Sequence, residues 1–67
     1  MNIAFLLKLV FMNIFQAIQS GNLQLVRQML ELDQNLIHAI DPRGFSTLLL
    51  ASYFGNEALT KLILQFE

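Results

Sequence analysis

The stretch "ASYFGNEALTKLIL", Ala51 to Leu64, restates "AIQSGNLQLVRQML", Ala17 to Leu30, at an offset of 34 residues. Extended to Ile14–Asp33 over Leu48–Glu67, the overlay makes five identical pairs: Ala17 with Ala51, Gly21 with Gly55, Asn22 with Asn56, Leu25 with Leu59, and Leu30 with Leu64. Ile14 with Leu48, Arg27 with Lys61, and Met29 with Ile63 are chemically alike. The matches fall on small residues, a turn and apolar positions, where packing dictates the choice of side chain.

Each copy spells the same local structure. A short apolar segment, Asn13 to Ser20 and again Thr47 to Phe54, runs into a glycine, which takes the left-handed conformation that closes many helices. The asparagine that follows offers its side-chain oxygen to the unpaired N–H groups of a second helix. In that second helix Leu23, Val26, Met29 and Leu30 share one face, with Arg27, Gln28 and Glu31 between them. Helix, tight turn, helix is the expectation for both copies. Between them, Asp41-Pro42-Arg43-Gly44 is a turn signal, because proline presets the second position and glycine accepts a positive φ. Leu36 to Ile40 and Phe45 are expected to run outward and return as a β-hairpin-like finger.

This pattern resembles the ankyrin repeat, a unit of about 33 residues with a β-turn and two helices. Asp41, Gly44, Ser46, Leu48 and Ala51 stand where that family has D-x-x-G-x-T-P-L-H-x-A, and Gly55-Asn56 stands at its Gly-His. Leu59, Lys61, Ile63 and Leu64 resemble its I-V-K-L-L run. Thr47 replaces the family's proline and Leu49 its histidine, which removes the hydrogen bonds that tie neighbouring fingers. The offset of 34 implies one added residue near Asp33. The resemblance implies an all-α, ankyrin-like solenoid of two repeats over residues 13–67, with residues 1–12 as an apolar N-terminal extension.

One helix pair cannot cover its own apolar face, so a second must stack on it. Repeat proteins generally need three or more units with polar caps, and two copies that end on Phe66-Glu67 predict an uncovered face at Leu50, Leu62 and Phe66. The expectation is therefore a homo-oligomer or a fragment of a longer array, with the N-terminal run as a further candidate cover. At 67 residues the chain buries only about 60% of its unfolded surface. With no cysteine and a single histidine, His38, it has neither disulfide nor metal staple. A hydrophobic share of 55% and a mean hydropathy of +0.54 put more apolar surface on the chain than one small core can hide.

Charge excludes further classes. The four basic residues, Lys8, Arg27, Arg43 and Lys61, are scattered on a chain of net charge −1, so no basic stripe tracks phosphates and nucleic acid is not expected as a partner. The run "MNIAFLLKLVFMNIFQAI" lacks the basic leader and small cleavage-site residues of a secretory signal. Lys8, Asn13 and Gln16 interrupt it below the roughly 20 apolar residues of a membrane span. A peptide anchored to a membrane by this apolar N-terminus remains the alternative function, and the absence of cysteine favours a reducing, cytoplasmic setting.

No phosphate loop, zinc spacing or nucleophile elbow is present, and no cofactor or metal is expected. His38 reads as a hydrogen-bonded loop residue, and Asp41 as the start of its own turn rather than half of a carboxylate pair with Glu31 or Asp33. The chain is not expected to be an enzyme. What the resemblance implies instead is a protein-binding scaffold that meets its partner through the finger and the inner helix. Mapped position by position, the contact candidates are Pro42, Arg43, Phe45, Tyr53 and Phe54. Arginine and aromatic side chains are favoured interface anchors, while Phe45 and Phe54 also suit packing between repeats.

Overall fold

A computed structural model of the chain describes residues 13–67 together with Ile3, and the expected N-terminal extension, residues 1–12, otherwise lies outside the described residues. Four α-helices follow in order: α1 (Ile14–Ser20), α2 (Leu23–Leu32), α3 (Thr47–Tyr53) and α4 (Glu57–Phe66), with a 3₁₀ helix (Gln34–His38) between α2 and α3. The described residues form an all-α arrangement. None of their helices is long and apolar enough to cross a membrane.

Both copies fold as helix, turn, helix, and the turn chemistry shows why. Asn13 caps α1 through a reciprocal pair, its Oδ1 accepting from Gln16 N at 2.8 Å while Gln16 Oε1 accepts from Asn13 N at 3.0 Å. Gly21 and Gly55 sit at φ 74° and 67°, the left-handed region where a side chain would be strained. After α3 the Asn56 N–H reaches Ala51 O at 3.1 Å and the Gly55 N–H reaches Ser52 O at 2.9 Å, the two bonds of a Schellman closure. After α1 a serine relays the longer bond: Ser20 Oγ donates to Ala17 O at 2.7 Å and accepts from Asn22 N at 3.3 Å. Asn22 and Asn56 then cap α2 and α4, accepting from Leu25 N at 3.1 Å and Leu59 N at 3.0 Å.

The copies lie side by side. Besides the contacts within each pair, α1 packs on α3 and α2 packs on α4. A Cβ built on Gly21 would stand 3.5 Å from Asn56 Nδ2, so the turns of the two copies also meet. One core results, from Ile14, Ala17, Ile18, Leu25, Val26, Met29 and Leu30 of the first copy and Leu50, Ala51, Leu59, Leu62 and Ile63 of the second, with Ile37 between. Among the described residues, no buried side-chain polar atom lacks a partner.

Three details differ from the sequence reading. Leu50 and Leu62, expected on an uncovered face, are each 2% exposed, and Phe66 packs against the core as well. Leu50 and Leu62 are thus not left open. Leu23 is exposed, and Leu25 takes its place in the buried stripe of α2. The finger is shorter than expected, because Gln34–His38 winds up instead of extending: Asp33 Oδ1 accepts from Asn35 N at 3.1 Å, Asp33 O accepts from Leu36 N at 3.1 Å, and Ile37 turns into the core. Ala39 to Ser46 form a loop closed by one antiparallel bridge between Ile40 and Ser46, with no strand among the described residues.

Candidate functional site

The loop is built around Asp41. Its side chain is only 3% exposed, yet every bond it needs comes from the next four residues. Oδ1 accepts from the Arg43 N–H at 2.9 Å and the Phe45 N–H at 2.8 Å, and Oδ2 accepts from Arg43 Nε at 3.2 Å and Nη2 at 3.0 Å. The backbone closes the same turn, with Gly44 N on Asp41 O at 2.9 Å and Asp41 N on Phe45 O at 2.9 Å. Removal from water pushes the carboxyl pKa up, but the Phe45 N–H and the Arg43 guanidinium and N–H outweigh it, so the group stays below the usual aspartate range. The expected role of Asp41, hydrogen-bonding its own loop, is what the geometry displays.

The base of the loop is tied to the helices by residues standing where the resemblance has threonine and proline. Ser46 caps α3, its Oγ accepting from Leu49 N at 3.1 Å. Thr47, 1% exposed, donates its hydroxyl to Ile37 O at 3.2 Å and so joins the 3₁₀ helix to the start of α3. Sequence reasoning misses this bond, since a threonine at the first helical position gives no signal of a partner ten residues back.

Held by Asp41, the Arg43 guanidinium lies over the Phe45 ring, with Cζ 4.9 Å from its centroid. Phe45 in turn stacks on Tyr53 with centroids 6.4 Å apart and planes at 22°. Tyr53 meets Phe54 edge-on, at 5.4 Å and 80°. Four of the five contact candidates read from the sequence are thus one continuous row, and Pro42 adjoins its arginine end. Tyr53 is 72% exposed, Phe54 43% and the Arg43 side chain 63%, whereas Phe45 is half-buried against the core. Phe45 therefore serves packing and surface together. Leu49, 51% exposed, belongs to the same region: it precedes Tyr53 by one helical turn and shares its face. Its signal in the sequence is that four-residue spacing, which the family comparison hides behind a missing histidine.

The chain has no match among protein-family models, curated proteins or solved structures. Its surface has to be interpreted from its own chemistry. Among the described residues there is no group of three His, Asp or Glu side chains close enough to hold a metal ion. His38 is exposed in the last turn of the 3₁₀ helix. Lys61 pairs with Glu57 at 3.3 Å across one turn of α4, an exposed pair of the kind that contributes little to stability.

Proposed function

We propose that this chain is a protein-binding module of ankyrin-like design, two stacked helical repeats that present a fixed loop and the exposed side of α3 to a protein partner. The observation that carries the reading is the unbroken row Arg43, Phe45, Tyr53 and Phe54, preassembled by the buried Asp41 and largely open to solvent. Aromatic and arginine side chains bury much area with few rotatable bonds, and here their geometry is set before a partner arrives, so little ordering is required on this side. The order in which each repeat supplies its turn, caps and helices supports the ankyrin comparison, as does the packing of first helix on first helix and second on second.

The test is a double substitution, Arg43→Ala with Tyr53→Ala, in affinity capture compared with the wild-type chain. Loss of anchors of about 2 kcal/mol predicts roughly 30-fold weaker retention of a specific partner. Circular dichroism should show unchanged helix content, because both side chains lie outside the core. A partner retained equally by both chains would remove this surface from the function.

A further inference from the structure

The surface formed by the loop and α3 is singled out by its charge. α3 contains no charged residue, and the Asp41 side chain of the loop is only 3% exposed, whereas that of Arg43 is 63% exposed. Among the described residues, the guanidinium is therefore the one charge that this surface offers to solvent. The exposed carboxylates Glu31, Asp33, Glu57 and Glu67 belong to other segments, and Glu57 is paired with Lys61. The Arg43–Asp41 pair also has a direction. Nε and Nη2 donate to the buried Oδ2, while Nη1 donates to nothing among the described residues. A carboxylate arriving from solvent would reach hydrogen-bond distance of Nη1 with the Asp41 charge farther away, so attraction outweighs repulsion.

We infer that the partner meets this surface with an acidic, apolar peptide segment: a carboxylate on Arg43 Nη1, and beside it aliphatic or aromatic side chains on Tyr53, Phe54 and Leu49. The inference rests on the binding surface proposed above and adds the chemistry of what it binds. A bare anion would leave the exposed Tyr53 and Phe54 rings and Leu49, itself 51% exposed, without cover. A basic segment would bring like charge to the guanidinium, and a purely apolar one would bury Nη1 with no acceptor; both are unfavourable. A second copy of the chain offering the same face brings another arginine and no exposed carboxylate, so self-pairing lacks the complement. Asp41 holds the guanidinium in place before the segment arrives, which keeps the ordering cost low.

The probe is a random peptide library displayed on phage and selected on the immobilised full chain. Enriched peptides should carry Asp or Glu beside aliphatic or aromatic residues, and their binding to the Tyr53→Ala chain should be lost. Each is then synthesised in two forms, with the acidic residue or with its amide, and titrated by fluorescence anisotropy. The amide form should bind about tenfold more weakly, and the acidic form should weaken as salt is raised. This comparison leaves the chain unaltered, so it holds even where Arg43→Gln disturbs the loop. Peptides that need Tyr53 but show no acidic enrichment, or that bind equally as the amide, would overturn the inference and leave the binding surface standing. Peptides held equally by the Tyr53→Ala chain would remove the surface and the inference together. A selection that enriches nothing on the folded chain would overturn the inference as well.

Discussion

Asp41 shows how much of this surface depends on one carboxylate. It accepts two main-chain and two guanidinium hydrogen bonds, so protonating it disrupts the turn that carries Arg43 and Phe45. Its pKa in the folded chain lies below its unfolded value, and the sign follows from linkage. The stabilisation is complete above the ordinary aspartate value of about 4 and is lost as pH falls through the lower, folded value. Thermal melts from pH 7 downward should show this as an acid-side loss of melting temperature. Asp41→Asn should already be less stable at pH 7 and should lose that part of the acid dependence. An unchanged acid limb in the variant would contradict the assignment. The capping asparagines make a second residue-scale case: Asn22→Ala and Asn56→Ala should each cost about 1 kcal/mol in urea unfolding, because each leaves one helix-start N–H without its acceptor. A zero effect at both would mean that the caps do not hold these turns.

At the scale of elements, what the sequence made legible and what it hid have a common cause. Ala17/Ala51, Leu25/Leu59 and the Gly-Asn turns are alike in both copies because each copy uses them internally, so the repeat announces its own helices and turn. The seam is built from unlike faces, so its residues differ between copies and leave no repeat to find. Leu50 and Leu62 consequently read as surplus apolar surface, although both are buried. The 3₁₀ helix is hidden for another reason: Asp33 and Ile37 hold it through one local cap and one tertiary contact, and the segment has no helical periodicity to show. Of the candidate surface, the loop and the aromatics were legible as residue types, but the ladder of rings depends on the return of the loop to α3. The asymmetry of the seam gives a paired prediction. Leu62→Ala should destabilise by about 2–5 kcal/mol, whereas Gln28→Ala, its equivalent in the first copy, should stay within about 0.5 kcal/mol. Equal effects, measured by urea denaturation, would contradict a directional interface.

For the whole molecule, stacking is what allows so short a chain to fold without a disulfide. Each helix pair alone leaves one apolar face in water, and the seam hides Ile18, Val26, Leu30, Leu50 and Leu62 together, each worth about 1.5–3 kcal/mol when fully buried. Neither copy has a comparable cover of its own, so the two should unfold in a single cooperative transition. Far-ultraviolet circular dichroism and the fluorescence of Tyr53, which sits in the second copy, should report the same urea midpoint. Separate midpoints would mean that the copies fold as independent units.

The side-by-side arrangement itself is open to direct measurement by nuclear Overhauser contacts between methyl groups of the two outer helices. With α2 packed on α4, the methyls of Val26 and Leu30 should give cross-peaks to those of Leu59 or Leu62. If contacts appear within each copy but none joins α2 to α4, the two repeats do not share a core and the stacked module is refuted.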